Sequence, residues 1–448
     1  MEKDSNAPSS YFSTKLIFIL FGVGSLLGWN ALLTELDFFQ FFVPSMNPFV
    51  SFSFLNYILN IVFQCLLTIK KDLFPLKFQL ILGIVGSIAF LILIPMFTII
   101  LEKDSFINRF VTGLLVVLMG FINALCSGGF FGLVANFPLE MIVSLSTGQG
   151  FSGIAMNLLQ YIVLVSINSD TFDNKHPEEQ RRIYIIRGWV FFIISSLILL
   201  ICLILLLINF NSEYFQYYLN KKKKNKSEIT SGLIEGETTQ EEFGVVEPKS
   251  PTKELSFKEI FLKIWDLNLL MVYIYIVTFA LFPNASISQN LFNLSFNYNT
   301  NTIILIYNVF DTIGRYLVAK VTPTKKLNTT VILGRSILLF TLVFNFICQK
   351  TLLWNVTLTS ILLIINVALL AATNGIGTTL TFGIAPNEVE NEYKGQAGTS
   401  LSFFLILGIF LGACVAFGTN GIIEAFPDKR KNETISTNLA NITSFIDF

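Results

Sequence analysis

The sequence is poor in charged residues and in histidine. Only 13% of its 448 residues are charged, whereas soluble domains carry about 25%, and the formal net charge is zero. A formal net charge of zero argues against nucleic-acid binding through a basic surface, so we expect no nucleic-acid partner. The single histidine, His176, excludes chemistry that needs several imidazoles. We therefore expect neither a metal nor a cofactor.

The cysteines also lack the spacing that disulfide or zinc chemistry requires. The five of them stand singly within apolar runs and form no CxxC motif. We interpret them as free thiols buried among helices, because a disulfide framework or a zinc site needs clustered cysteines. They are Cys65, Cys126, Cys202, Cys348 and Cys414.

Long hydrophobic runs, by contrast, are abundant, since 53% of the residues are hydrophobic. Runs of about 17–25 apolar residues can cross a bilayer as helices. The sequence has eleven such runs, so we predict an all-α polytopic membrane protein. The fifth run is the weakest, because Ser144, Ser146, Thr147 and Gln149 stand in its first turns. The predicted spans are 16–39, 49–69, 78–101, 110–137, 141–167, 183–208, 267–291, 302–321, 330–348, 352–382 and 395–417.

One polar segment divides the spans into six and five. Between residues 209 and 265 the chain has few apolar residues, with a lysine-rich run at 221–226 and an acidic stretch after it. This composition predicts a disordered cytosolic loop. We expect a six-helix amino-terminal half (1–208), this loop (209–265), a five-helix carboxyl-terminal half (266–423) and an extracytosolic tail (424–448).

The charge distribution in the loops predicts the orientation. Lysine and arginine are more numerous on the side that a cytosolic amino terminus places in the cytosol. An odd number of spans then places the carboxyl tail outside, where Asn432 and Asn441 each begin a glycosylation sequon. The first apolar run is too long for a cleavable signal peptide. We expect a monomeric, glycosylated multi-pass protein of the plasma membrane.

Asp311 and Arg315 are the most informative pair of residues in the sequence. They lie inside the eighth predicted span, where an ionised side chain costs about 2.5–3.5 kcal/mol on insertion scales. Four residues apart on a helix, they share one face and can neutralise each other. The pair is either a buried tie between helices or an anchor for a substrate rich in hydroxyls or ring nitrogens, because Arg offers several donors and Asp several acceptors.

Other polar, aromatic and glycine-bearing motifs recur at the spans. Trp29 and Asn30 lie well inside the first span and either anchor it or line a cavity. Phe282-Pro283 predicts a kink or discontinuity in the seventh. Glu35, near the end of the first span, is interpreted as a solvated end residue, with a proton site as the alternative. Further motif positions are Pro138, Gln149 and Gly150 around the fifth span, Gly314 in the eighth, Arg335 in the ninth, and Asn374 and Pro386 in and after the tenth.

Taken in order, these motifs resemble those of the equilibrative nucleoside transporter family. That family has a Trp-Asn pair in its first helix, a Pro followed by Gly-Gln-Gly around its fifth, and Asn-x-Phe-Asp-x-x-Gly-Arg in its eighth. The resemblance extends over the whole chain and includes the long loop after the sixth helix. The matching positions are Trp29 and Asn30; Pro138, Gly148, Gln149 and Gly150; and Asn308, Phe310, Asp311, Gly314 and Arg315.

The resemblance implies a fold, a function and a set of binding residues. It implies a major-facilitator-like bundle whose two halves rock around a midplane site. A nucleoside or nucleobase would move down its gradient without a cofactor, with aromatic rings stacking on the base and the ionic pair binding sugar hydroxyls or the base edge. The residues that match the family's binding positions are Trp29, Phe282, Asn308, Asp311 and Arg315.

Ser127 departs from the family pattern. Many members carry a Gln there that reads the edge of the base, and a serine hydroxyl cannot make the same two-point contact. The resemblance therefore places Ser127 in the substrate site but leaves the preferred base open. Gln149, in the separate Gly-Gln-Gly motif, is interpreted as mainly structural.

Four other classes of function compete with this one. A facilitator-type carrier of another small polar metabolite would share the fold, but it normally has twelve spans. A proton-coupled nucleoside transporter would need a further buried carboxylate, for which Glu35 is the candidate. A membrane-embedded enzyme would need a catalytic cluster, and the spans offer only Asp311, Arg315, Arg335 and Glu35. A receptor or a channel is not expected to have eleven spans.

Overall fold

The computed structural model describes residues 12–70, 73–167, 177–219 and 257–424, and these residues are almost entirely helical. The lysine-rich run at 221–226, His176, Asn432 and Asn441 lie outside them. Eleven long helices occur in the described residues. They are α1 (Phe12–Thr34), α2 (Pro48–Ile69), α3 (Leu76–Ile100), α4 (Phe106–Val134), α5 (Leu139–Ile167), α6 (Pro177–Asn209), α7 (Trp265–Leu281), α8 (Phe296–Leu317), α9 (in two segments, Lys325–Gly334 and Ile337–Lys350), α10 (Val356–Ile384) and α11 (Lys394–Glu424).

Ten of these helices are long and apolar enough to cross a membrane. The exception is α5, whose 29 residues would suffice in length but whose sequence carries the polar residues noted above. The prediction of an all-α membrane fold is confirmed, whereas the count of eleven spans in a 6+5 arrangement stays a prediction. Because α5 packs between α1 and α8, its polar side chains face protein instead of lipid.

The helices break at three positions that carry polar residues or proline. The first predicted span is one helix only to Thr34, after which Glu35 interrupts it and a short helix follows at Leu36–Phe42. The discontinuity predicted at Phe282-Pro283 is confirmed, because α7 ends at Leu281 and a one-turn helix follows at Asn284–Ile287. The third break lies between the segments of α9, at Arg335 and Ser336.

Glu35 is not a solvated end residue, so that interpretation is wrong. Its side chain is fully buried, because the break after α1 turns it inward against α6. There its carboxylate lies 3.5 Å from the Arg187 guanidinium, which also pairs with Asp37 at 2.6 Å. Neither carboxylate oxygen of Glu35 accepts a hydrogen bond from the described residues. A buried charge of this kind requires its partner, so the three side chains tie α6 to the end of α1.

The helices before the polar segment (α1–α6) contact those after it (α7–α11) along α5 with α8 and α2 with α11, and at one end of the bundle α4 also meets α10. This is the end at which α1 and α5 begin, joined there by a salt bridge between Lys15 and Glu140. Phe131 at the end of α4 stacks on Phe382 at the end of α10, with ring centroids 3.8 Å apart. Below them, Gln64 of α2 donates to Ser402 of α11 at 2.6 Å. We call this the closed end.

Candidate functional site

The Asp311–Arg315 ion pair that the sequence predicts is confirmed. Arg315 Nε donates to Asp311 Oδ2 at 2.7 Å, and each residue is only 5% exposed. The separation of four residues on α8 brings the two groups together without help from another helix. Since water hardly reaches the pair, its hydrogen bonds are charge-assisted contacts in a low-dielectric environment.

The pair also binds two further helices, one from each group. Arg315 Nη1 donates to the side-chain oxygen of Gln149 at 3.0 Å and to the carbonyl of Ser146 at 3.3 Å, both on α5. Asn374 of α10 donates to Asp311 Oδ1 at 2.8 Å. The ion pair therefore joins α5 of the first group to α8 and α10 of the second.

Gln149, interpreted from the sequence as mainly structural, is hydrogen-bonded to the ion pair. Its side-chain oxygen accepts from Arg315, and its side-chain nitrogen donates to Ser25 of α1 at 3.1 Å. The amide thus extends the buried polar network from α8 through α5 to α1. Sequence reasoning separated Gln149 from the ion pair because the two are more than 160 positions apart and only folding brings them together.

Glycines make these close helix crossings possible. A Cβ atom at Gly150 would lie 2.2 Å from the Thr312 hydroxyl, and one at Gly314 would lie 2.3 Å from the carbonyl oxygen of Ala372. Real Cβ atoms do not approach so closely, so both positions require glycine. At these points α5 and α10 pack against two neighbouring faces of α8 and bring their amide side chains to the ion pair.

Asn308 and Asn30 add polar contacts along the same crossings. Asn308 of α8 donates to Asn157 of α5 at 2.5 Å, and Asn30 of α1 donates to Ser152 of α5 at 3.0 Å. Both asparagines keep a partly exposed surface inside the bundle.

Four aromatic rings accompany this network in two pairs. Trp29 packs against Tyr57 of α2 with centroids 5.8 Å apart, and Phe282 stacks on Tyr307 of α8 at 4.0 Å with nearly parallel planes. Trp29 and Phe282 were predicted from the sequence, whereas their tyrosine partners were not. A fifth ring, Tyr275 of α7, lies near both Arg315 and Tyr57.

Ser127 occupies a different part of the bundle from the ion pair. Its hydroxyl accepts a hydrogen bond from Gln64 at 3.1 Å and donates to the carbonyl of Asn123 at 2.8 Å. Because Gln64 also contacts Ser402, Ser127 lies at the inner margin of the closed end. The sequence had a signal for this region: Asn56, Gln64 and their neighbours Asn60 and Thr68 recur every fourth position on α2, which places four buried polar side chains on one helical face.

Arg335 is a buried cation without a carboxylate partner among the residues that the structure describes. It is 2% exposed and donates to the carbonyls of Ile274 and Leu370 and to the hydroxyl of Thr278. Thr278 in turn donates to Asn374, which reaches Asp311. Arg335 thus joins α7, α9 and α10 and belongs to the same polar network.

The two prolines of the predicted motifs lie near the closed end. Pro138 directly precedes α5, and Pro386 lies in the one-turn helix Ala385–Asn387 after α10. They end or begin helices and contribute no polar group to the network. The structure therefore brings together Gln149, Gly150, Asn308, Asp311, Gly314, Arg315, Asn374 and Arg335, and places Ser127, Pro138 and Pro386 toward the closed end.

The chain is similar to nucleoside transporters in sequence. A sequence model described as "Nucleoside transporter" matches residues 114–420. Rat "Equilibrative nucleoside transporter 2" is 26% identical over 462 residues, which cover 92% of this chain and 98% of the rat protein. Human "Equilibrative nucleoside transporter 1" is 24% identical, with 92% and 98% covered. "Equilibrative nucleotide transporter 1" of Arabidopsis thaliana is 25% identical, with 92% and 87% covered.

Solved structures similar to this chain are major facilitator superfamily transporters. The proton:xylose symporter XylE bound to 6-bromo-6-deoxy-D-glucose superposes with a TM-score of 0.62 and 14% identity, over 93% of this chain and 91% of XylE. The E. coli fucose:proton symporter FucP gives a TM-score of 0.54 and 14% identity, over 93% of both chains. At such identities the likeness establishes the fold alone, and the predicted major-facilitator-like architecture is confirmed.

Proposed function

Because this chain belongs to the nucleoside transporter family, we propose that it carries nucleosides across a membrane down their concentration gradient. The resemblance to equilibrative nucleoside transporters that the motifs indicated is confirmed by the family match and by the relatives. Members of this family are transporters and not enzymes. The finer statements that follow on substrate contacts, orientation and membrane are proposals.

The ion pair of Asp311 and Arg315 is the observation that supports this proposal most directly. It combines acceptors and donors at one buried point, which suits the vicinal hydroxyls of a ribose. Its present partners are Gln149 from one helix group and Asn374 from the other. A sugar hydroxyl that replaces either amide exchanges one hydrogen bond for another, so binding and release need little net free energy.

Alternating access follows from the position of the pair between the two helix groups. At the closed end, the stack of Phe131 on Phe382 and the bond from Gln64 to Ser402 hold the groups together. Because Arg315 bonds across to α5, a substrate that takes Gln149's place loosens a contact between the groups. We propose that this exchange lets the groups rock, so that the closed end opens and the opposite end closes.

The base would stack on the aromatic pairs. Trp29 and Tyr57 lie on α1 and α2, and Phe282 and Tyr307 on α7 and α8. A planar base between such rings gains about 0.5–1.5 kcal/mol beyond the burial of its area. Stacking tolerates any base, so the rings provide affinity and the hydrogen-bonding groups provide selectivity.

The substrate class is tested by radiolabelled uptake in transporter-deficient cells against nucleosides, nucleobases and sugars. We expect purine and pyrimidine nucleosides to be accepted, with 2′- and 3′-deoxy analogues weakened by about tenfold, since each lacks one of the hydroxyls proposed to bind the ion pair. Changes of base should matter less, and Ser127→Gln should narrow the base range. If base identity shifts affinity tenfold or more while deoxy sugars compete equally, the assignment of the ion pair to the sugar is reversed.

The same assay separates facilitated from proton-coupled transport. We expect uptake to be insensitive to a protonophore. The buried carboxylate of Glu35, with no hydrogen bond to its oxygens among the described residues, favours the proton-coupled alternative. In that case a protonophore lowers uptake, and Glu35→Gln removes its effect.

For the topology, we propose a plasma-membrane protein with a cytosolic amino terminus, so that the closed end faces the cytosol. The carboxyl tail is then extracytosolic, and Asn432 or Asn441 should carry a glycan. The measurement is the mobility shift on glycosidase treatment, with Asn432→Gln/Asn441→Gln as the unglycosylated control. A carboxyl-terminal tag that reacts with antibody only after permeabilisation of the plasma membrane would overturn the odd number of spans.

A further inference from the structure

Asn123 of α4 is an asparagine that no motif singled out, and it lies one helical turn before Ser127. The two residues are in direct contact, because the Ser127 hydroxyl donates to the backbone carbonyl of Asn123 at 2.8 Å. The side chains at i and i+4 point to the same side of a helix. Asn123 thus carries an amide on the face of α4 where the family's base-reading glutamine would stand.

The side chain of Asn123 borders a space inside the bundle. The face of α4 that turns away from the protein carries Phe110, Leu114 and Leu118, which are 60%, 47% and 39% exposed. Asn123 follows Leu114 by nine positions, or about 2.5 helical turns, and so lies on the opposite, inward side. It is nevertheless partly exposed. An inward residue keeps exposed surface only where helices leave room between them.

Its hydrogen bonds leave an acceptor free toward that space. Asn123 Nδ2 donates to Oδ1 of Asn56 on α2 at 3.3 Å. Asn56 is 1% exposed and held in turn by its own donation to the carbonyl of Val116. This contact fixes the nitrogen side of the Asn123 amide toward α2. Within the described residues, no donor reaches the Asn123 side-chain oxygen.

The aromatic pair of the site lies at the same depth. Tyr57 directly follows Asn56, and it packs on Trp29. Gly28 directly precedes Trp29 on α1. A Cβ atom at Gly28 would lie 2.9 Å from the side chain of Met119 on α4. Met119 lies one turn before Asn123 on that helix. The crossings of α1, α2 and α4 therefore bring the free amide oxygen near the two rings proposed to stack on the base.

We propose that Asn123 reads the edge of the base by accepting a hydrogen bond from its exocyclic amino group. The inference rests on the proposed function and adds a selectivity residue to it. The amide of Asn123 stands one turn before Ser127 on the same helix, α4. Adenine and cytosine present such an amino group, whereas purine and pyrimidin-2-one lack it. A single neutral hydrogen bond corresponds to a preference of about fivefold, which agrees with a transporter that accepts all bases.

The experiment compares nucleosides that differ only in that amino group. Uptake of adenosine is measured against purine riboside, and uptake of cytidine against pyrimidin-2-one riboside, each as Vmax/KM in transporter-deficient cells. Wild type should prefer the amino member of each pair about fivefold. Asn123→Leu, which keeps the size and removes the acceptor, should bring both ratios to about one. Leu114→Ala, on the outward face of the same helix and 47% exposed, is the control and should keep the wild-type ratios.

A rescue variant distinguishes recognition from a structural role. Ser127→Gln combined with Asn123→Leu returns an amide to the family position and should restore a preference for the amino nucleosides. If Asn123→Leu fails to reach the membrane, Asn123→Ala is measured instead, with the same expected loss of preference, because alanine also lacks a side-chain acceptor. The proposal is overturned if the variant that reaches the membrane keeps the wild-type ratios, or if it slows all four nucleosides by the same factor. Absence of saturable nucleoside uptake by wild type would instead contradict the proposed function.

Discussion

Replacing Arg315 by lysine is expected to abolish most nucleoside uptake while the protein still reaches the membrane. Lysine keeps the charge but presents one compact ammonium instead of a planar guanidinium. Arg315 uses two nitrogens to hold Asp311 on its own helix and Gln149 and Ser146 on α5. An ammonium cannot reach all three. Charge-assisted hydrogen bonds contribute about 1.5–3 kcal/mol each, so we expect uptake to fall about tenfold or more.

The control for this change is Arg182→Lys, an exposed arginine in the first turns of α6, which should leave uptake unchanged. Surface biotinylation shows whether each variant reaches the membrane. Asp311→Asn should also damage transport, because it leaves Arg315 without its counter-charge. Compared with either single variant, the neutral double variant Asp311→Asn/Arg315→Gln should recover folding to a greater extent than transport activity. Normal transport by the double variant would make the residues a structural tie and would remove the substrate anchor from the proposal.

Adding a methyl group at the crossing of α8 and α10 is expected to destabilise the folded protein strongly. A Cβ atom at Gly314 would lie 2.3 Å from the carbonyl oxygen of Ala372, and one at Gly375 would lie 2.1 Å from that of Asp311. Both obstacles are backbone atoms of helices, which cannot turn aside as a side chain does. Overpacking costs about 1–3 kcal/mol even where side chains absorb it. Gly375→Ala also displaces the turn that carries Asp311.

We therefore expect Gly314→Ala and Gly375→Ala to lower the midpoint of thermal unfolding in detergent and to remove most uptake. Gly334→Ala is the matched control, because nothing lies within 4 Å of the added carbon at that helical position. Alanine is the better helix former, so this control should be neutral or slightly stabilising. If Gly314→Ala has the same midpoint of thermal unfolding as the wild type, α8 and α10 are further apart than described.

Local patterns in the sequence were sufficient for the helices and for the ion pair. Runs of apolar residues predict helices because a bilayer offers no partner for backbone groups. The spacing of Asp311 and Arg315 predicts their contact because both side chains project from one helical face. The break at Phe282-Pro283 follows from the missing backbone donor of proline. Each of these conclusions depends on residues within about one helical turn.

Interactions between segments that are distant in the sequence could not be predicted from local patterns. Gln149 and Asn374 reach the ion pair from two helices packed on α8, and no spacing along the chain indicates that they do. Glu35 looked like a solvated end residue, but Arg187 from α6 and the break after α1 make it a buried one. The inward exposure of Asn123 depends on the room that neighbouring helices leave.

The sequence by itself determined the class of the protein, its membrane helices, its family and the pair of charges at its centre. It did so because hydrophobicity, helical spacing and the bond geometry of proline act over a few residues. Only the tertiary structure decided which amides hydrogen-bond to the ion pair, where the two groups of helices meet, and which acceptor has no donor among the described residues. The reason is physical: a buried polar group must find a partner, and which partner it finds depends on how helices far apart in the chain cross.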